Sequence, residues 1–138
     1  MNASGAGPVL LVEDDHDIRG LLRHRLARWP YEILEAASGE VALEMARARR
    51  PALVVLDILL PGIDGWEVLR QLRRDPDLAD VPVVVVSIVD DPGEDERPDV
   101  QGYLLKPFDS ATVNSVFGAL LGGERGPEGR ADDTNGGP

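Results

Sequence analysis

Three short runs, Val9–Val12, Ala52–Leu56 and Val81–Val86, carry no polar side chain at all. A strand with one wet face alternates apolar and polar residues, so continuous β-branched runs bounded by Pro or acids belong where both faces are covered. That requirement points to a parallel sheet with helices on each side. It constrains this chain more than any other feature.

The segments between the runs supply those helices. Ile18, Leu21, Leu22, Leu26 and Trp29 share one helical face, which ends before Pro30. Val41, Ala42, Met45 and Ala46 mark a second helix after Ser38, and Val68, Leu69 and Leu72 a third, opened by Asp64 and closed before Pro76. Val113, Val116, Phe117, Leu120 and Leu121 form the cleanest stripe, with Asp109 or Ser110 as N-cap and Gly122-Gly123 as its stop. Tyr31–Ala36 and Gly102–Leu105 are weaker apolar runs, as edge strands would be. Alternation of this kind predicts a doubly wound α/β fold: a five-stranded parallel sheet in the flavodoxin-like order 2-1-3-4-5.

Composition narrows the function classes. With 14 basic and 25 acidic residues the net charge is 14 − 25 = −11, which argues against nucleic acid or an anionic membrane as the main partner. There is no cysteine for a disulfide, a thiolate nucleophile or a Cys-based zinc site, and no apolar run approaches the roughly 18 residues of a membrane span. The expectation is a soluble, cytoplasmic domain over residues 8–121. Residues 1–7 and 122–138 are small, polar and Gly-rich, and are expected to be a disordered N-terminus and a disordered tail or linker.

In a doubly wound sheet, ligands sit at the carboxyl ends of the strands. Here those ends read Glu13-Asp14-Asp15, Asp57, Ser87 and Lys106-Pro107. Clustered carboxylates repel, and a hard divalent cation resolves the conflict; Mg²⁺ fits best, because it takes few protein ligands and leaves room for phosphate oxygens. A carboxylate beside such an ion can attack a phosphoryl group in line, while an ammonium and a hydroxyl hold the remaining oxygens. Lys106 is the only lysine among 14 basic residues, which suggests a need for a compact ammonium rather than a planar fork. A cis Lys106–Pro107 bond would turn that lysine back toward the rim.

The motifs Val-Glu-Asp-Asp (12–15), Leu-Asp-Ile-Leu-Leu-Pro-Gly-Ile-Asp-Gly (56–65), Val-Val-Ser (85–87) and Tyr-Leu-Leu-Lys-Pro-Phe (103–108) fall in order on the expected elements. Asp14 precedes Asp57 by 43 residues, and Asp57 precedes Ser87 by 30. With these motifs the span from Val9 to Leu121 resembles the receiver domain of two-component response regulators. The resemblance implies that Asp57 is the phosphoacceptor and that Glu13 and Asp14, with Asp57 and the backbone carbonyl of Leu59, hold Mg²⁺. It implies that Ser87 and Lys106 bind the phosphoryl oxygens and that Tyr103 is a switch turning inward with Ser87. The implied partners are a histidine kinase or phosphotransfer protein as donor and a downstream protein target. On that reading the domain catalyses only its own phosphorylation and a slow dephosphorylation, and is not otherwise an enzyme.

One stretch departs from the pattern. Residues 90–99 contain no apolar side chain, two prolines and a net charge of 1 − 6 = −5, so the helix usual between strands 4 and 5 is expected to be missing or degenerate. Leu59 and Val89, two residues beyond Asp57 and Ser87, offer no polar group to orient water, and Ile88 is bulky for its place beside Ser87. His16 and His24 read as surface residues, and Asp15 as a helix-start acid. Gly62 and Gly65 read as loop glycines that turn the chain. Two other readings remain open from the residues. One is a phosphorylation-independent protein-interaction module on the same fold. The other is a phosphohydrolase with an aspartyl nucleophile, for which Leu59 stands where a second acid is expected. The chain is expected to be either a single-domain regulator or a fragment cut at a linker.

Overall fold

A computed structural model of the protein describes residues 7–88 and 100–122. The first half builds β1 (Val9–Val12), α1 (His16–Leu26), β2 (Ile33–Ala36), α2 (Gly39–Ala48) and β3 (Leu53–Asp57). The second adds α3 (Gly65–Arg74), β4 (Val83–Ser87), β5 (Gly102–Leu105) and α4 (Ser110–Leu121). All neighbouring strands run parallel, in the order β2-β1-β3-β4-β5, so the weak runs are indeed the two edges. The expected acidic gap at 90–99, together with Val89, residues 1–6 and residues 123–138, lies outside the described residues.

Strand alternation splits the core in two. Val9, Leu11, Val55, Val84, Val86 and Leu104 face α1 and α4, packing on Leu22, Leu26, Val113 and Phe117. Leu10, Val12, Val54, Leu56, Val83 and Val85 face α2 and α3, packing on Ala42, Ala46, Val68, Leu69 and Leu72. Each helix opens on an oxygen that accepts main-chain N–H groups: Asp15, Ser38, Asp64 and Asp109. At the far end of α1, Trp29 meets Phe117 edge-on, with ring centroids 6.4 Å apart.

Two strand starts differ by a residue or two from the apolar runs. Pro82 has no N–H to enter a ladder, so its carbonyl serves β3 (from Val54 N, 3.0 Å) and β4 begins at Val83. Ala52 donates instead to Pro8, at 2.7 Å, and β3 begins at Leu53 and reaches Asp57.

Candidate phosphoacceptor site

Among the described residues the buried polar or charged side chains are three: Glu13, Asp57 and Ser87. All three end strands on the same rim. Glu13 follows β1, Asp57 closes β3 and Ser87 closes β4. A core that admits polar groups at one edge alone, and there admits two carboxylates, is arranged around that edge's chemistry.

The geometry is compact. One carboxylate oxygen from each of Glu13, Asp14 and Asp57 lies within 4.8 Å of the others, with Asp14 the exposed member. The Lys106 ammonium stands 3.4 Å from Asp57 Oδ2 and 3.5 Å from Glu13 Oε1. Asp57 Oδ1 accepts from the Leu59 amide at 3.1 Å, which folds the β3–α3 loop over the carboxylate. Lys106 donates its own amide to the Ser87 carbonyl at 2.7 Å, and the Lys106–Pro107 bond is cis.

Electrostatics at this rim are unresolved by protein groups alone. Burial, then the neighbouring Asp57 carboxylate, pushes the Glu13 carboxyl from 4.5 up to about 7, against the pull of Lys106. Glu13 Oε1 is buried without a hydrogen-bond partner among the described residues. A buried carboxylate oxygen with no hydrogen bond, its nearest cation Lys106 at 3.5 Å, beside two further carboxylates, fits a hard divalent cation with oxygen ligands.

Ser87 and Tyr103 belong to the other side of the sheet. Alternation puts Ser87 with Val83 and Val85, while Tyr103 pairs with Val85 in register and packs, half-buried, against that same core. The site therefore has a charged side toward α1 and a hydroxyl side toward α3. Beside Lys106 opens an apolar groove of about 380 Å³, lined by Ile18, Leu21, Ile88, Pro107 and Phe108.

Asp15 caps α1, accepting from Asp17 and Ile18, and His16 and His24 are exposed. Leu59 is 55% exposed and Ile88 59%, so both apolar side chains stand open near the acids. Gly62 does turn the chain, at φ +75°, but Gly65 does not: it is the first residue of α3. A Cβ there would lie 2.5 Å from the Asp57 carbonyl oxygen and 2.6 Å from Ile58 Cα, so closeness, not turning, demands glycine. The residue that sequence patterning missed is Arg19. It donates to the Glu13 carbonyl at 2.8 Å.

An acidic cluster and one lysine meet at the switch point of a doubly wound sheet, the arrangement of a phosphoacceptor fold. Residues 9–117 match the family described as "Response regulator receiver domain". The chain belongs to that family. It is 37% identical over 118 residues to the transcriptional regulatory protein AfsQ1 of Streptomyces coelicolor, covering 82% of this chain and 50% of that one. The chain thus spans about half the length of the curated relative. Among solved structures, chemotaxis response regulator CheY4 of Vibrio cholerae superposes with a TM-score of 0.76 at 27% identity, covering 83% of this chain and 98% of that one. The receiver domain of sensor histidine kinase PA1611 from Pseudomonas aeruginosa, solved with magnesium in its active-site cleft, superposes with a TM-score of 0.74 at 25% identity, covering 84% and 98%.

Proposed function

We propose that residues 8–121 form the receiver that accepts a phosphoryl group on Asp57 from the phosphohistidine of a histidine kinase or phosphotransfer protein. The observation that carries this is the burial of Asp57 among Glu13, Asp14 and Lys106, with ligand atoms gathered within 4.8 Å. In the transfer, a carboxylate oxygen of Asp57 bonds to phosphorus as the phosphorus–nitrogen bond breaks, and the imidazole leaves with that electron pair. Glu13, Asp14, Asp57 and the Leu59 carbonyl are the groups that would hold Mg²⁺, whose chemistry is to neutralise charge on the transferring oxygens. Lys106 balances the third phosphoryl oxygen. Ser87 binds the product from the opposite side of the sheet, and Tyr103, on that same face, follows it inward as the switch. The apolar groove beside Lys106 gives a donor protein a surface to rest on. The same reading places the domain in the cytoplasm and makes residues 1–7 and 122–138 flanking segments.

Detection of a phosphoryl adduct by mass or by Phos-tag mobility, with the kinase or a small phosphodonor and Mg²⁺, tests this. Asp57→Asn is expected to abolish the adduct, and chelation of the metal to do the same in the native chain. An adduct that survives in Asp57→Asn refutes the assignment. Leu59 beside the acceptor offers no polar group to orient water, so the adduct on the isolated domain is expected to outlast minutes. A half-life of seconds contradicts that role for Leu59.

A further inference from the structure

We infer that Arg19 is a positioning residue for the acidic site: it fixes the main chain of Glu13 so that one carboxylate oxygen is left facing a cation. The inference rests on the reading of Glu13, Asp14 and Asp57 as the metal site. Glu13 brings four polar atoms. Its N–H donates to the Ala36 carbonyl at 3.0 Å, and its Oε2 accepts from the Asp15 amide at 3.1 Å. Its carbonyl accepts from Arg19 Nη1 at 2.8 Å. Only Oε1 has no hydrogen bond, and that is the atom 3.5 Å from Lys106.

Arg19 is itself held. Its Nε donates to Glu35 Oε1 on edge strand β2 at 3.0 Å, while Arg23 Nε takes the other oxygen, Oε2, at 2.9 Å. Two anchors on one planar group, at Nε and at Nη1, set its orientation as well as its position. An ammonium has no such plane. The bridge therefore ties α1, the edge strand and the first acid of the site into one unit. Without it the Glu13 carbonyl loses its donor, and the turn from Glu13 to the Asp15 amide that holds Oε2 is less restrained.

Arg23 supplies an internal control. It binds the same carboxylate but lies one turn further along α1, and its side chain is 54% exposed against 22% for Arg19. Both are arginines on one helix sharing one acid, so charge and helix propensity are matched. They differ in the contact to Glu13 and in burial.

The test is Mg²⁺ titration of the whole chain, followed by calorimetry and by amide shifts of Asp15 and Leu59. Arg19→Ala is expected to weaken Mg²⁺ about tenfold, in the range seen when groups supporting a metal ligand are removed. Arg19→Lys is expected to fall nearly as far, and Arg23→Ala to keep native affinity. In the metal-free protein, Arg19→Ala alone is expected to speed hydrogen exchange of the Asp15 amide. A purely structural role would lower melting temperature in both arginine variants without separating their affinities. Native affinity in Arg19→Ala, or an equal loss in Arg23→Ala, overturns the inference while leaving the phosphoacceptor reading standing. Absence of Mg²⁺ binding in the native chain overturns both.

Discussion

At the amino end of the strands, Glu32 and Arg49 meet at 2.6 Å, Arg47 stands 3.9 Å from Asp75, and Arg73 donates to the Val81 carbonyl at 2.8 Å. At the carboxyl end, Glu13, Asp14 and Asp57 gather around one lysine. The same sheet thus treats acids in opposite ways. Where arginine fills the gap, the hydrogen bond from Arg49 holds Glu32 below the usual carboxylate range. Where acids outnumber cations and are buried, Glu13 is pushed up to about 7. One end is electrostatically closed by the chain itself. The other is left short of positive charge, the arrangement that the proposed cation site requires.

Titration separates the two ends most strongly. Glu13 in the unfolded chain ionises near 4.5 and in the fold near 7, so the folded form holds its proton more tightly. Below pH 4.5 both forms are protonated and nothing is lost. As pH rises through 4.5 to 7 the metal-free protein loses stability, by up to about 3 kcal/mol at 1.36 kcal/mol per pH unit. On the proposed metal site Mg²⁺ would take the ionised form, so it is expected to restore that loss and to bind more tightly as pH rises over the same window. Urea melts at pH 5, 6, 7 and 8, with and without Mg²⁺, check this. Metal-free stability that stays level from pH 5 to 8 breaks the contrast.

A smaller effect comes from packing rather than charge. Gly65→Ala puts a Cβ against the backbone of Asp57 and Ile58, and overpacking of this kind costs about 1–3 kcal/mol. Gly20→Ala on α1, where the nearest atom is the flexible end of Arg23 at 3.9 Å, is expected to stabilise by up to about 1 kcal/mol. The Gly65 loss is expected to be the same at pH 5 and pH 8. A loss that appears only above pH 7 would mean that the loop acts through the charge of the acids after all.

These residues also show what could be read from the sequence. The strands were legible because β1, β3 and β4 are apolar on both faces, and the caps because Ser38 and Asp64 precede helical periodicity. Glu13, Asp14, Asp57 and Lys106 were legible because strand order alone brings strand ends together. Arg19 was not, since its partners are Glu13, just after β1, and Glu35 in β2, and only the placement of α1 across them creates the contact. Gly65 was misread for a similar reason: its need is set by the approach of α3 to the Asp57 carbonyl, which no local pattern encodes.

The smallest expected effect tests the closed end. Glu32→Gln removes a carboxylate whose side chain is 56% exposed and whose partner Arg49 is 52% exposed. Water and salt already screen such a pair, and holding two long side chains in one geometry offsets much of the attraction. The melting midpoint at pH 7 is therefore expected to move little, and to match the native chain at 0.5 M salt, roughly three times physiological ionic strength. The buried end responds differently, because Lys106, Glu13 and Asp57 are shielded from salt by the protein around them. Replacing Lys106 with Met leaves two buried carboxylates with no balancing cation, and its cost is expected to persist at high salt and to shrink when Mg²⁺ is added. If the Glu32 variant proves the more costly of the two, the amino end is held by its charges and not by its core, and the division between a closed end and an open one fails.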